Sequence, residues 1–226
     1  MAQEAQAGPL EPAEVESTSL AERAYRAIRE LIVSVELRPG AVIDERALMQ
    51  RLGIGRTPVR EALRRLAHER LVDVYPRRGM FVTPVEIRDL TGLSEVRSLL
   101  ESRAARLAAQ RATDVDRIQI DSLLRELERD SGDPHELMAL DERIHRQLYR
   151  STHNPFLEET LEEYYVLALR IWYLALDRAQ HLDRAVHGHR EILEAVRSGD
   201  GARAEERIRR HVLDFEQEMR RVLIGS

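Results

Sequence analysis

Apolar residues recur every three or four positions through Leu20, Ala24, Ile28, Leu31 and Ile32, the period of a helix with one buried face. The run stops before LRPG, where Pro39-Gly40 forces a turn. Asp44 can cap a short helix carrying Leu48 and Leu52, Gly53 breaks it, and a further helix carries Val59, Leu63 and Leu66. The period then shortens. The stretch LVDVYPRRGMFVTP reads as two strands, Leu71 to Tyr75 and Met80 to Thr83, around a Pro-Arg-Arg-Gly turn. After Pro84 no strand signal returns. Helical periodicity predicts helices near 87–110, 115–129, 134–151, 155–177, 182–198 and 202–223, separated by RATD, SGDP, THNP and RSGDG.

This pattern predicts a mainly α fold: a winged helix-turn-helix domain over 18–84, then an all-α bundle of about six helices over 85–226. Residues 1–17 are acidic, contain proline and are poor in large apolar groups, so a disordered tail is expected there.

Charge separates the same segments. The 226 residues carry a formal net charge of −5, and every one of the 35 basic side chains is arginine. Residues 18–84 hold 13 Arg against 8 acids, or +5, whereas 85–226 sum to −6 and the first 17 to −4. An anion-binding module joined to something else is the simplest account. There is no cysteine, which excludes disulfides and thiolate metal sites. No apolar run approaches a membrane span and no secretory signal is visible, so a cytoplasmic protein without membrane contact is expected.

In the basic module the candidate chemistry lies at GIGRTPVREALRRL, residues 53–66. A helix N-terminus offers free N–H groups to phosphates, and an α-helix fits the major groove of double-stranded DNA. Arg56 and Arg60 flank that N-terminus, and Pro58 stiffens it; Thr57 and Gly55 are both candidate caps. In the helical module Asp141 and His145 are four apart and share a face with Leu137, Ile144 and Leu148. His189 and His211 fall on the apolar stripes of their own helices. Four inward groups of ligand type are costly if unpaired, and a divalent cation satisfies them together. Nitrogen ligands favour Zn or Ni. No inward Glu or extra His is evident as a general base, which counts against a metal-dependent hydrolase. Tyr164, Tyr165, Trp172 and Tyr173 read as core, with a pocket or subunit seam as the alternative.

Residues 20–83 resemble the DNA-binding domain of the GntR family of bacterial transcription regulators, through LRPG, DERALMQRLGIGRTPVREALRRL and YPRRGMFV. The resemblance implies DNA-contact positions at Arg46, Arg56, Thr57 and Arg60, the wing tip at Gly79, and Arg77 and Arg78 beside the minor groove or backbone. Gly55, Met49 and Arg70 depart from the family pattern, Arg70 standing where a glycine is usual. Residues 87–222 look like the FCD-type effector-binding domain of the FadR-like branch, through EVRSLLESRAARLAA, DERIHRQLYRSTHNPFL and HREILEAVRSGDGARAEERIRRHV. That resemblance implies metal ligation by Asp141, His145, His189 and His211. It also implies a small organic acid as effector, with Arg97 matching a position that can clamp its carboxylate; pairing of Arg97 with Glu101 is the equal alternative. The expected protein is a metabolite-responsive regulator, a repressor binding a palindromic operator as a homodimer. The rivals are a metal-dependent hydrolase and a DNA-binding protein whose metal is purely structural.

Overall fold

The computed structural model describes residues 19–129, 133–176 and 182–224. The acidic segment expected to be disordered lies outside them. Helices α1 (Leu20–Val33), α2 (Glu45–Leu52) and α3 (Arg56–His68) precede a hairpin of β1 (Val72–Tyr75) and β2 (Gly79–Val82). The remaining elements are α4 (Ile87–Arg111), α5 (Asp114–Leu127), α6 (Pro134–Arg150), α7 (Pro155–Ala175), α8 (Leu182–His187), α9 (His189–Ser198) and α10 (Gly201–Ile224).

Local chemistry sets these boundaries. Ser19 caps α1 by accepting from the Glu22 amide at 3.1 Å, and Asp44 caps α2 by accepting from Arg46 and Ala47. Gly53 ends α2 in the left-handed region at φ 63°, which costs glycine nothing. Ala24, Ile28 and Ile32 then meet Val59, Leu63 and Leu66, all six fully buried, so α1 and α3 share the first core. The hairpin is antiparallel in the register Val72↔Val82, and Val42 bridges to Phe81 on its other edge. The Arg78 amide closes the turn on the Tyr75 carbonyl at 3.1 Å, with Arg77 left-handed at φ 64° after Pro76.

In the second half, Thr113, Asp133 and Asn154 cap α5, α6 and α7, and left-handed Gly199 closes α9. The long α4 packs along α10 and also touches α6, α7 and α9. A Cβ on Gly201 would come within 3.1 Å of Arg106, so glycine lets the start of α10 approach α4 closely. Where one helix over 182–198 was expected, Gly188 separates α8 from α9. The strands sit one residue off their expected bounds at both ends of the hairpin. Among the described residues no helix is long and apolar enough to cross a membrane.

Two arginines join the halves. Arg29 of α1 donates to Glu162 of α7 at 2.9 Å, and Arg146 of α6 grips the same carboxylate at 2.7 Å. Arg170 of α7 donates to the carbonyl of Thr83, just past β2.

Arg70 adopts φ 60°, a left-handed conformation unfavourable for a side chain bearing Cβ. This is the physical reason glycine is usual there. Arg70→Gly should therefore stabilise the fold by about 1 kcal/mol, read as a higher urea midpoint at unchanged slope. A lower midpoint contradicts the strain.

Candidate metal centre and nucleic-acid face

Asp141 and His145 project one turn apart from α6 into the bundle, where they are 2 % and 1 % exposed. His189 is the first residue of α9, fully buried, immediately after the break at Gly188. The Val186 carbonyl accepts from His189 Nδ1 at 3.0 Å. His211 comes from α10 and is partly exposed. One ligand atom from each of the four lies within 4.8 Å of the others. Bonds of about 2.0–2.2 Å to one cation hold such atoms about 3–4 Å apart, so a slight contraction completes the set.

Proton placement gives an independent test of fit. A carbonyl only accepts, so His189 carries its proton on Nδ1 and leaves Nε2 bare. His145 Nδ1 lies 3.3 Å from Glu101 Oε2 and 3.2 Å from Tyr149 Oη. Glu101 Oε2 has no other donor among the described residues, and a proton on His145 Nδ1 serves it. His145 Nε2 is then bare as well. The two Nε2 atoms face each other at 3.1 Å, with Asp141 oxygens 3.7 and 4.0 Å away. Two lone pairs and a carboxylate converging in a buried space repel unless a cation sits among them. The donor set fits a divalent metal.

Electrostatics agree. Burial holds His189 down at about 4, and burial with the neighbouring imidazoles drives His211 well below its ordinary value, so both are neutral ligands at pH 7. Burial alone would raise Glu101, but Arg97 and His145 outweigh it and bring the carboxyl to about 2. Tyr165 donates its hydroxyl to Asp141 Oδ2 at 2.7 Å. Its phenol is pushed well above the usual value by burial and by that carboxylate, so it stays a donor.

Arg97 donates Nε to Glu101 at 2.6 Å, both groups buried, and its charge reaches His211. The pairing alternative is thus formed, within reach of the centre. Glu101 is an inward acid that the sequence pattern did not reveal, although it is held between Arg97 and His145. Tyr149, four residues after His145, could have been found from the same spacing argument. Tyr165 carried no signal separating it from plain core. His211 opens into a cleft of about 690 Å³ with Trp172, Arg207, Arg210 and Phe215 on its walls.

In the N-terminal half, Arg46, Arg56, Thr57, Arg60, Arg77, Arg78 and Gly79 are all exposed. Gly55, not Thr57, is the N-cap of α3; Pro58 therefore sits third in the first turn, where its missing N–H is still not needed. The Thr57 side chain is left uncommitted to capping. Arg60 pairs with Glu45 at 2.8 Å, whereas Arg46, Arg56, Arg77 and Arg78 form no ion pair among the described residues.

Comparison with known proteins follows this two-part layout. Residues 20–82 match the family described as bacterial regulatory proteins, gntR family, and residues 92–214 match the FCD domain. The chain is 26% identical over 202 residues to the HTH-type transcriptional repressor RspR of Escherichia coli K12, covering 88% of each protein. It is 31% identical over 222 residues to a transcriptional regulator "in unstable DNA locus" of Streptomyces ambofaciens, covering 89% of this chain and 86% of that one. The solved structure of E. coli McbR/YncC shares the fold with a TM-score of 0.78 at 24% identity, over 87% of this chain and 94% of that one.

In metal-stripped protein, stability should fall as pH drops from 6.5 to about 4. The unfolded chain takes up protons on imidazoles that the folded protein keeps neutral, worth roughly 3 kcal/mol for His189 alone. A melting temperature flat across that interval contradicts the buried neutral imidazoles. Glu101→Gln should weaken metal affinity about 10–100-fold by removing the carboxylate that orients His145. Chelator competition reads this, and unchanged affinity contradicts it.

Proposed function

Because the chain belongs to the GntR family and carries an FCD domain, it is a transcriptional regulator of that type, and we propose that it is a repressor that leaves its operator on sensing a small organic acid. Its relatives are DNA-binding regulators, not enzymes. Two of them are named as repressors, RspR and the galactonate operon transcriptional repressor of E. coli K12, and this supports the sign of regulation.

The reader comprises residues 18–84. It works as one half of a homodimer in the cytoplasm, two copies meeting half-sites of a palindrome about one helical turn apart. The α3 N-terminus enters the major groove. Arg46, Arg56, Thr57 and Arg60 contact phosphates and base edges, and Arg60 exchanges Glu45 for the nucleic acid. Arg77, Arg78 and Gly79 of the wing lie against the neighbouring groove or backbone.

The sensor comprises residues 85–226. Asp141, His145, His189 and His211 hold a divalent metal, with three nitrogens favouring Zn or Ni. When bound, the cation supplies open positions for an effector carboxylate. The cleft outside His211 admits the acid, and Arg97 stands behind the centre as its counter-charge. The convergence of the four ligand atoms within 4.8 Å, with His211 lining a cleft, is the observation that carries this reading. Coupling to DNA follows if the acid binds the DNA-free arrangement more tightly.

Arg56→Ala should weaken operator binding about tenfold to a hundredfold and flatten its salt dependence, with the circular dichroism spectrum unchanged. Undiminished affinity in a gel shift contradicts the proposed reader. His189→Ala should lower metal content and melting temperature together and abolish release by organic acids. Full metal occupancy in that variant contradicts the ligand set.

A further inference from the structure

Two buried arginines in this protein have opposite surroundings. Arg97 has the Glu101 carboxylate at 2.6 Å. Arg170, 2 % exposed, has no ion pair among the described residues, and its Nε has no hydrogen-bond partner. Its Nη2 donates to the Thr83 carbonyl, and Asp73, the acid among the described residues whose charge acts on it, itself accepts from the Thr83 hydroxyl at 3.0 Å. Burial lowers Arg170 to about 10. A desolvated guanidinium without a carboxylate is costly, and it persists where something else supplies the anion.

What Arg170 has beside it is a cavity of about 490 Å³, a size typical of small-ligand sites. Its walls are mostly apolar: Pro84 and Val85 of the linker after β2, Leu93 of α4, and Leu167 and Ile171 of α7. Arg70 and Arg88 add positive charge at the same cavity, Arg88 being paired with Glu86 at 2.6 Å, and Asp89 is the one acid lining it. None of the four metal-centre ligands lines this cavity.

We propose that this cavity is a second ligand site, for a small apolar monocarboxylate whose headgroup pairs with Arg170 and whose hydrocarbon body packs on the apolar walls. The buried cation selects the acid, the apolar walls select a hydrocarbon chain over an inorganic anion, and Asp89 disfavours a second carboxylate. Arg170 belongs to the sensor helix α7 and its hydrogen bond goes to Thr83 beside the wing, so an occupant bridges sensor and reader.

The test is calorimetric titration of the full, metal-loaded chain with octanoate, with octanol and inorganic phosphate as comparison ligands. Octanoate should bind, and octanol and phosphate should bind much more weakly. Arg170→Gln should weaken octanoate about tenfold or more by removing a charge-assisted contact. Gly92→Leu provides a second route if that variant unfolds. Gly92 lines the cavity and an added Cβ there meets nothing within 4 Å, so a larger side chain can start from this position without a clash at Cβ and take up cavity space. Loss of octanoate binding in Gly92→Leu with metal content unchanged supports the site. Undiminished binding in Gly92→Leu overturns it. So do phosphate binding as tight as octanoate, no octanoate binding at all, and binding kept in a folded Arg170→Gln but lost when the metal is stripped.

Discussion

The FCD half is organised around two imidazole Nε2 atoms that face each other at 3.1 Å and cannot hydrogen-bond while each ring keeps its proton on Nδ1. His189 commits its proton to the Val186 carbonyl, and the Glu101 carboxylate draws the proton of His145 to the opposite side of the ring. Asp141 adds a negative charge to the same space, held by the Tyr165 hydroxyl. Such an arrangement is repulsive by itself and strongly attractive around a cation. Because the ligands come from α6, α9 and α10, a cation there ties three helices, of which α9 and α10 are also joined by the Arg207–Glu191 ion pair at 2.8 Å.

From that centre to the reader the path is short and made of charge. Helix α6 carries Asp141 and His145 on its inner face, with Glu142 and Arg146 next to them in the chain. Arg146 and Arg29 share the Glu162 carboxylate, so the helix bearing two of the metal ligands is linked to the first helix of the reader. Arg170 makes the second link, at the base of the wing. Both links cross between halves whose charges have opposite sign, consistent with a junction that holds the reader in a defined attitude and can be re-set by small shifts of α6 or α7.

Much of this was legible in the sequence because it rests on local rules. The helix cap at Asp44, the stop at Gly53, the helix breaks at SGDP and THNP and the change to strand periodicity after Leu71 are each decided within a few residues, and each matches the structure in kind. The four candidate ligands were visible because each sits on an apolar stripe. What surrounds them was not. Glu101 lies in a charged stretch of α4 that reads as solvent-facing until α6 packs over it, and Tyr165 sits among aromatics whose spacing says only core. The cap of α3 was ambiguous because Thr57 and Gly55 satisfy the same rule, and tertiary geometry chose the glycine. The isolation of Arg170 has no sequence signature, since it depends on which acids fail to reach it.

The claim on which the sensor account stands is that a metal occupies the space between the facing nitrogens. Element-specific anomalous diffraction from crystals of the purified full chain tests it most directly. The account predicts an anomalous peak bonded to Asp141, His145, His189 and His211 together. A crystal without that peak, in which His145 and His189 hydrogen-bond to each other through a proton on Nε2, would contradict it.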